Sequence, residues 1–287
     1  MRIPRIAPIA SPVVTCGSRQ LGSGSGVPSS DRERLQYWRS FIGSRHGPAE
    51  RRLQRATAQY LRASRDRTVQ RVADVLTTQR SITRSLTATQ WAEILSSVIE
   101  SSELRSAVTG DITRATEIAF RWASNRVGVS MGWAPEWAGV DSQIGQLITR
   151  VDDRYKNEVR SIIEKGLQNG LTVNEMQAQI AESPLFGLPR SLMIARTEAT
   201  RAVSGGSYAA FQNAASQGVI VHQQWLAAAD ARESHRALGR AEPILVGEEF
   251  KIPLGTRNAG ETALYPGGFD VASEDINCRC TVVPIVD

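Results

Sequence analysis

Between Asp31 and Gly218 the apolar residues of this 287-residue chain recur at helical spacing, and from Val219 onward they do not. That change of period constrains the fold more than any other feature. A long stretch of 3.6-residue periodicity, followed by short β-branched runs between turn residues, predicts segregated helices and strands. The expected class is α+β: a mostly helical N-terminal region, then a C-terminal domain of helices packed on a small β-sheet. Three segments are expected: a flexible Pro-, Gly- and Ser-rich arm over residues 1–30, an Arg-rich helical region over 31–140, and the C-terminal domain over 141–287.

Local signals place the elements. Ser30 or Asp31 caps a helical stretch to about Arg84, broken near Gly43 to Pro48, with Leu53, Tyr60, Leu61, Val72, Val75 and Leu76 as its apolar stripe. Thr87 or Thr89 caps the next helix, and another is expected from Asp111 to about Arg126. Trp133 and Trp137 are expected to anchor a loop on the core. Residues 141–166 form an amphipathic helix ended by Gly166 and Gly170, and Thr172 with Glu175 makes a capping box. A long helix runs from Leu188, with Pro189 in its first turn, to a glycine stop at Gly218. Its Ala, Ser and Gly residues at 202–210 predict close packing against a neighbour. Strands are expected near 219–226, 243–246 and 279–285.

No apolar run approaches the roughly 20 residues of a membrane span. Pro4, Pro8 and Pro12 break the apolar start, so neither a signal peptide nor a lipoprotein role for Cys16 is expected. Three cysteines, an odd number, do not suggest a disulfide scaffold. Charge is polarised end to end. Residues 1–84 carry 16 Arg against 5 acids, net +11, while residues 85–287 carry 18 basic against 24 acidic residues, net −6. Arginine binds phosphate bidentately. Arg51, Arg52, Arg55, Arg62, Arg65 and Arg67 are therefore candidates for non-specific contact with double-stranded DNA. The bland alternatives are a solvated helix face or pairing with an acidic protein surface.

Chemistry concentrates in two stretches about forty residues apart: Trp225-x4-Asp230-x-Arg232-x2-His235, and Asp275-Ile276-Asn277-Cys278-Arg279-Cys280. Asp230 is expected to cap a short helix. On extended backbone, Cys278 and Cys280 point to one face and Arg279 to the other. Three readings stay open. In the first, the cluster is a structural polar network, with Arg232 paired to an acid such as Glu198. In the second, Cys278, Cys280, His235 and Asp230 form a four-ligand metal site, for which zinc is the fitting cofactor. In the third, Asp230, Arg232 and His235 form a nuclease or group-transfer site, with His235 as general base and Arg232 steadying an anionic transition state.

The tryptophan-to-histidine spacing, Tyr265-Pro266-Gly267, the Asn-Cys-Arg-Cys run and the preceding Arg196-Thr197-Glu198 segment together resemble the phage head morphogenesis family of Mu F-like minor head (minor capsid) proteins. The resemblance covers roughly residues 145–287. Some members carry His-Pro where this chain has Asp275-Ile276. The resemblance implies that Arg196, Thr197 and Glu198 face the Asp230/His235 region. It also implies a role in capsid morphogenesis, with the portal protein, other head proteins and packaged DNA as partners. The implied location is the phage head, after assembly in the host cytoplasm. Domains of this family also occur joined to toxins, which keeps an enzyme or toxin-type alternative. No added toxin domain is expected after the Asn-Cys-Arg-Cys strand.

Overall fold

In a computed structural model, which describes residues 28, 30–78, 86–98 and 100–286, helix α1 (Asp31–Phe41) opens on a complete capping box. The Ser30 hydroxyl accepts from the Glu33 N–H, and the Glu33 carboxylate accepts from the Ser30 N–H. The expected arm falls almost wholly outside the described residues, as does Cys16. The break expected near Gly43 to Pro48 does not form. The chain stays helical through a π-type turn at Ile42–His46 and continues as α2 (Gly47–Thr78). Pro48 lacks an N–H and crowds the turn before it, and a widened turn gives it room. Gly47 is needed there, because a Cβ would lie 2.6 Å from the Ile42 carbonyl oxygen. The stretch expected to carry this helix to Arg84 lies outside the described residues beyond Thr78.

Thr87 caps α3 (Ala88–Val98), exchanging bonds with Gln90 in a second capping box. Helix α4 spans Ser101–Arg126 and so starts well before Asp111. Leu104, Val108 and Ile112 form one buried stripe through Gly110, and that burial overrides glycine's weak helix propensity. Trp133 and Trp137 pack against Phe120 at ring separations of 5.2 and 5.9 Å, as anchors do. Helix α5 (Val140–Gln168) runs past Gly166, which is not a stop. Gly166 is instead a contact point, where a Cβ would lie 2.5 Å from Met176. Gly170, at φ 68°, makes the turn into α6 (Val173–Glu182), capped by Thr172 and Glu175 as expected.

Helix α7 (Leu188–Ser216) is the axis of the molecule, with nineteen buried residues. The small residues foreseen at 202–210 let α4 lie against it. A Cβ on Gly206 would stand 2.3 Å from the Thr116 carbonyl oxygen. This packing crosses the boundary expected at residue 140.

The C-terminal part follows: β1 (Val221–Leu226), α8 (Glu233–Leu238), β2 (Ile244–Leu245), β3 (Phe250–Lys251), β4 (Thr262–Ala263), α9 (Ala272–Asp275) and β5 (Thr281–Val286). The main sheet is antiparallel with order β2-β1-β5, and β3 pairs with β4 in a separate ribbon. The fold is thus α+β. Pro284 sits in β5, opposite Gln223. An edge strand tolerates its missing N–H. Trp225 lies opposite Val282, is wholly buried, and packs edge-on against Phe250 at 5.2 Å. Helix α1 docks onto this part: Arg34 donates to the Gly239 carbonyl at 2.5 Å, and the Trp38 indole to that of Arg279 at 3.0 Å. Among the described residues no helix is long and apolar enough to cross a membrane.

Candidate functional site

The four-residue helix α9 carries two carboxylates, Glu274 and Asp275, each only 1% exposed. Successive helical residues point in different directions, so one turn serves two partners. The Asp275 carboxylate accepts from Arg201 at 2.9 Å and from the backbone N–H groups of Phe269 and Asp270. Glu274 accepts from the Ser234 hydroxyl at 2.7 Å and from the Asn258 amide at 2.6 Å. Its Oε2 also stands 3.1 Å from His235 Nε2, at ion-pair distance. Asn277 then takes the left-handed conformation, φ 60°, that turns the chain out of α9 towards β5. Asparagine adopts that region more readily than other side-chain-bearing residues, which explains the Asn of Asn-Cys-Arg-Cys.

Three residues of the first motif, Asp230, Arg232 and His235, grip this segment. Asp230 pairs with Arg279 at the surface. It does not cap α8, whose N-cap is Arg232. Arg232 does not pair with Glu198. Its guanidinium donates to the Ser273 and Ile276 carbonyls, which the end of so short a helix leaves open. His235 turns Nδ1 to the two thiols, 3.4 Å from Cys280 Sγ and 3.6 Å from Cys278 Sγ. The ring stacks on Phe269 and meets the edge of Trp225.

Helix α7 grips the other side. Thr197 Oγ1 accepts from the Asn277 N–H at 3.1 Å, and the Thr200 hydroxyl donates to the Cys278 carbonyl. Arg201 bridges Asp275, Glu198 and the Gly267 carbonyl. His46 of the π-type turn adds a contact at 3.0 Å from Thr200 Oγ1. Of the three family-motif residues expected to face the Asp230/His235 region, Thr197 and Glu198 meet the segment through Asn277 and Arg201. Arg196 does not: it turns to α2 and pairs with Glu50 at 3.4 Å.

The four residues expected to share a metal do not all meet. The donor atoms of His235, Cys278 and Cys280 converge within 4.8 Å of one another, and Asp230 stands apart at the surface. Both cysteines are free thiols. Burial would raise the Cys280 thiol, but hydrogen bonds from Cys278, His235 and the Ala228 N–H outweigh it, holding it well below the usual thiol range. Cys278 moves the other way, pushed up by that same bond to Cys280 and by burial. At 1–3% exposure the cluster offers no open face to a dissolved substrate.

The arginine set divides in two. Arg52 pairs with Asp111, Arg65 with Asp66 and Arg67 with Glu103. Arg51, Arg55 and Arg62 are exposed and form no ion pair among the described residues. Sequence inspection missed Glu274, Thr200, Ser234 and Asn258. A detectable signal existed for Glu274: two adjacent acids separated from Asn-Cys-Arg-Cys by Ile276 alone.

Residues 157–283 match the family model described as Phage Mu protein F like protein. Three curated relatives bear on the chain. It is 34% identical over 140 residues to the NAD(+)--arginine ADP-ribosyltransferase EFV of Enterococcus faecalis (strain ATCC 700802 / V583), a match covering 47% of this chain and 27% of that protein. It is 25% identical over 176 residues to the uncharacterized protein YqbB of Bacillus subtilis (strain 168), 60% of this chain and 52% of that one. It is 30% identical over 146 residues to the minor head protein GP7 of Bacillus phage SPP1, 49% of this chain and 45% of that one. The chain thus spans about half, or less, of the length of these relatives. No solved structure matches.

Proposed function

We propose that this chain, which carries a Phage Mu protein F like domain over residues 157–283, is a minor head protein acting in phage head morphogenesis. One observation supports a structural role above a catalytic one. The motif residues Asp230, Arg232 and His235 each hold a different part of residues 273–280, and His235, the candidate base, is buried against the two thiols. Such an arrangement is a clasp that fixes the C-terminal strand. The likeness to a phage minor head protein supports the same reading.

The expected setting is the phage head, with other head components as partners. Portal association belongs to the same proposal, and so does non-specific DNA contact through the exposed arginines of α2. A transferase role draws no comparable support, since the match to EFV takes in only 27% of that protein. The test is co-expression of the full chain with the portal and major capsid proteins of its own genome. A head protein sediments with assembled particles and co-elutes with the portal on size exclusion at low salt. Particles that form equally well without this chain, and never retain it, would refute the head role. Retention in particles without portal binding would refute only the portal contact.

A further inference from the structure

We infer that His235, Cys278 and Cys280 bind one thiophilic divalent cation of the zinc class, which ties the start of β5 to α8. The geometry carries this. A tetrahedral zinc has Zn–S bonds of about 2.3 Å and Zn–N bonds of about 2.0–2.1 Å, which puts a sulfur and a nitrogen ligand about 3.6 Å apart. His235 Nδ1 stands 3.4 Å from one sulfur and 3.6 Å from the other, so both S···N edges already have the length of a coordination tetrahedron.

The surroundings suit a metal better than a bare thiol pair. Metal-bound histidine commonly has a carboxylate at its other ring nitrogen, which sets the tautomer and the ring plane. Here Glu274 stands 3.1 Å from Nε2, and Ser234 and Asn258 fix that carboxylate in turn. The Ala228 N–H points at Cys280 Sγ from 3.5 Å, the kind of donor that stabilises a thiolate. Phe269 and Trp225 hold the imidazole from two sides. Two sulfurs and a nitrogen select a soft or borderline ion over magnesium or calcium, which take oxygen ligands. No fourth His, Cys or carboxylate oxygen joins the three among the described residues. An exogenous donor would therefore complete the sphere.

The site is independent of the head role, so either can fail alone. The full chain, purified under reducing conditions without chelator, should hold close to one zinc per chain. Chelation should lower its melting temperature by several degrees, and added Zn2+ should restore it, because metal bound only by the folded state adds to stability. Chelated protein titrated with Co2+ should develop thiolate-to-cobalt charge-transfer absorption that saturates at one equivalent and is displaced by Zn2+. Cys278→Ser and Cys280→Ser should each weaken that band, and the double variant should abolish it. Should the variants fail to fold, the wild-type cobalt titration still decides. Metal-free protein with no charge-transfer band, a Cys278–Cys280 disulfide in the freshly purified chain, or an unchanged cobalt spectrum in a folded double variant would each overturn the assignment.

Discussion

Arg201 and Asp275 form an ion pair of 2.9 Å with side chains only 9% and 1% exposed, 74 residues apart in sequence. Glu198 holds the same guanidinium at 2.8 Å. Breaking a buried pair from one side leaves an uncompensated charge, at a cost of about 3–5 kcal/mol. Arg201→Met keeps most of the side-chain volume and strands both carboxylates. Urea unfolding of this variant should show a loss in that range. Glu198→Gln, which leaves the Asp275 pair intact, should cost much less. Equal losses would mean that the pair with Asp275 does not hold the C-terminal segment.

Adjacent glycines of α7 should respond oppositely to alanine. At Gly206 a Cβ would lie 2.3 Å from backbone oxygen of Thr116, so α4 and α7 would have to separate. Overpacking of this kind costs about 1–3 kcal/mol. At Gly205 the nearest atoms belong to Tyr265 at 3.6 Å, an ordinary contact. Gly205→Ala should therefore gain part of the roughly 1 kcal/mol by which alanine favours a helix interior. Thermal melts of the two single variants should shift in opposite directions.

Helix legibility in the sequence followed from periodicity and caps. The stripe of Ile144, Leu147, Val151 and Val159, the cap at Ser30 and the box at Thr172 are local signals, and each produced its element. Glycine misled at Gly166, where tertiary packing overrode local preference, and the helix expected from Asp111 begins at Ser101. Cys278, Cys280 and His235 were legible as a group because strand alternation puts both cysteines on one face. Asp230 was misplaced because its partner, Arg279, points out on the opposite side of that same backbone. Helix α9 was not legible at all. Four residues carry no periodicity, and it is held by Arg232, Arg201 and Thr197 from elements far away in sequence.

All five tyrosines ionise late in the folded protein. Burial is the leading cause in each: Tyr37 and Tyr208 are pushed up to about 12, and Tyr60, Tyr155 and Tyr265 are also raised. In the unfolded chain they ionise near pH 10. Above that pH the unfolded state binds fewer protons than the folded one, so stability falls as pH rises. The contribution is fully present below pH 10 and is lost progressively from about 10 towards 12 and beyond. An ultraviolet titration should show tyrosinate appearing together with loss of far-ultraviolet ellipticity. Tyrosinate forming near pH 10 with ellipticity intact would contradict this burial.

The last expectation concerns α2. Each helical residue turns about 100°, so Arg51, Arg55 and Arg62 fall within a sector of about 40°, spread over about 16 Å of axis. Arg52, Arg65 and Arg67 are already matched by Asp111, Asp66 and Glu103. Of these six arginines, the exposed three are the ones without an ion-pair partner among the described residues, and three phosphate contacts predict a log–log salt slope near 2.7. Sequence preference is not expected, because the sequence carries no recognisable groove-reading motif and has few aromatics in its Arg-rich region for base stacking. Fluorescence anisotropy with a duplex, at several salt concentrations, measures both affinity and slope. The triple variant Arg51→Gln/Arg55→Gln/Arg62→Gln should lose most of the binding and most of the slope in the full chain. Arg65→Gln, whose guanidinium pairs with its neighbour Asp66, should change little. If the triple variant binds duplex like the wild type but no longer retains the portal protein, the stripe serves an acidic protein surface and not DNA.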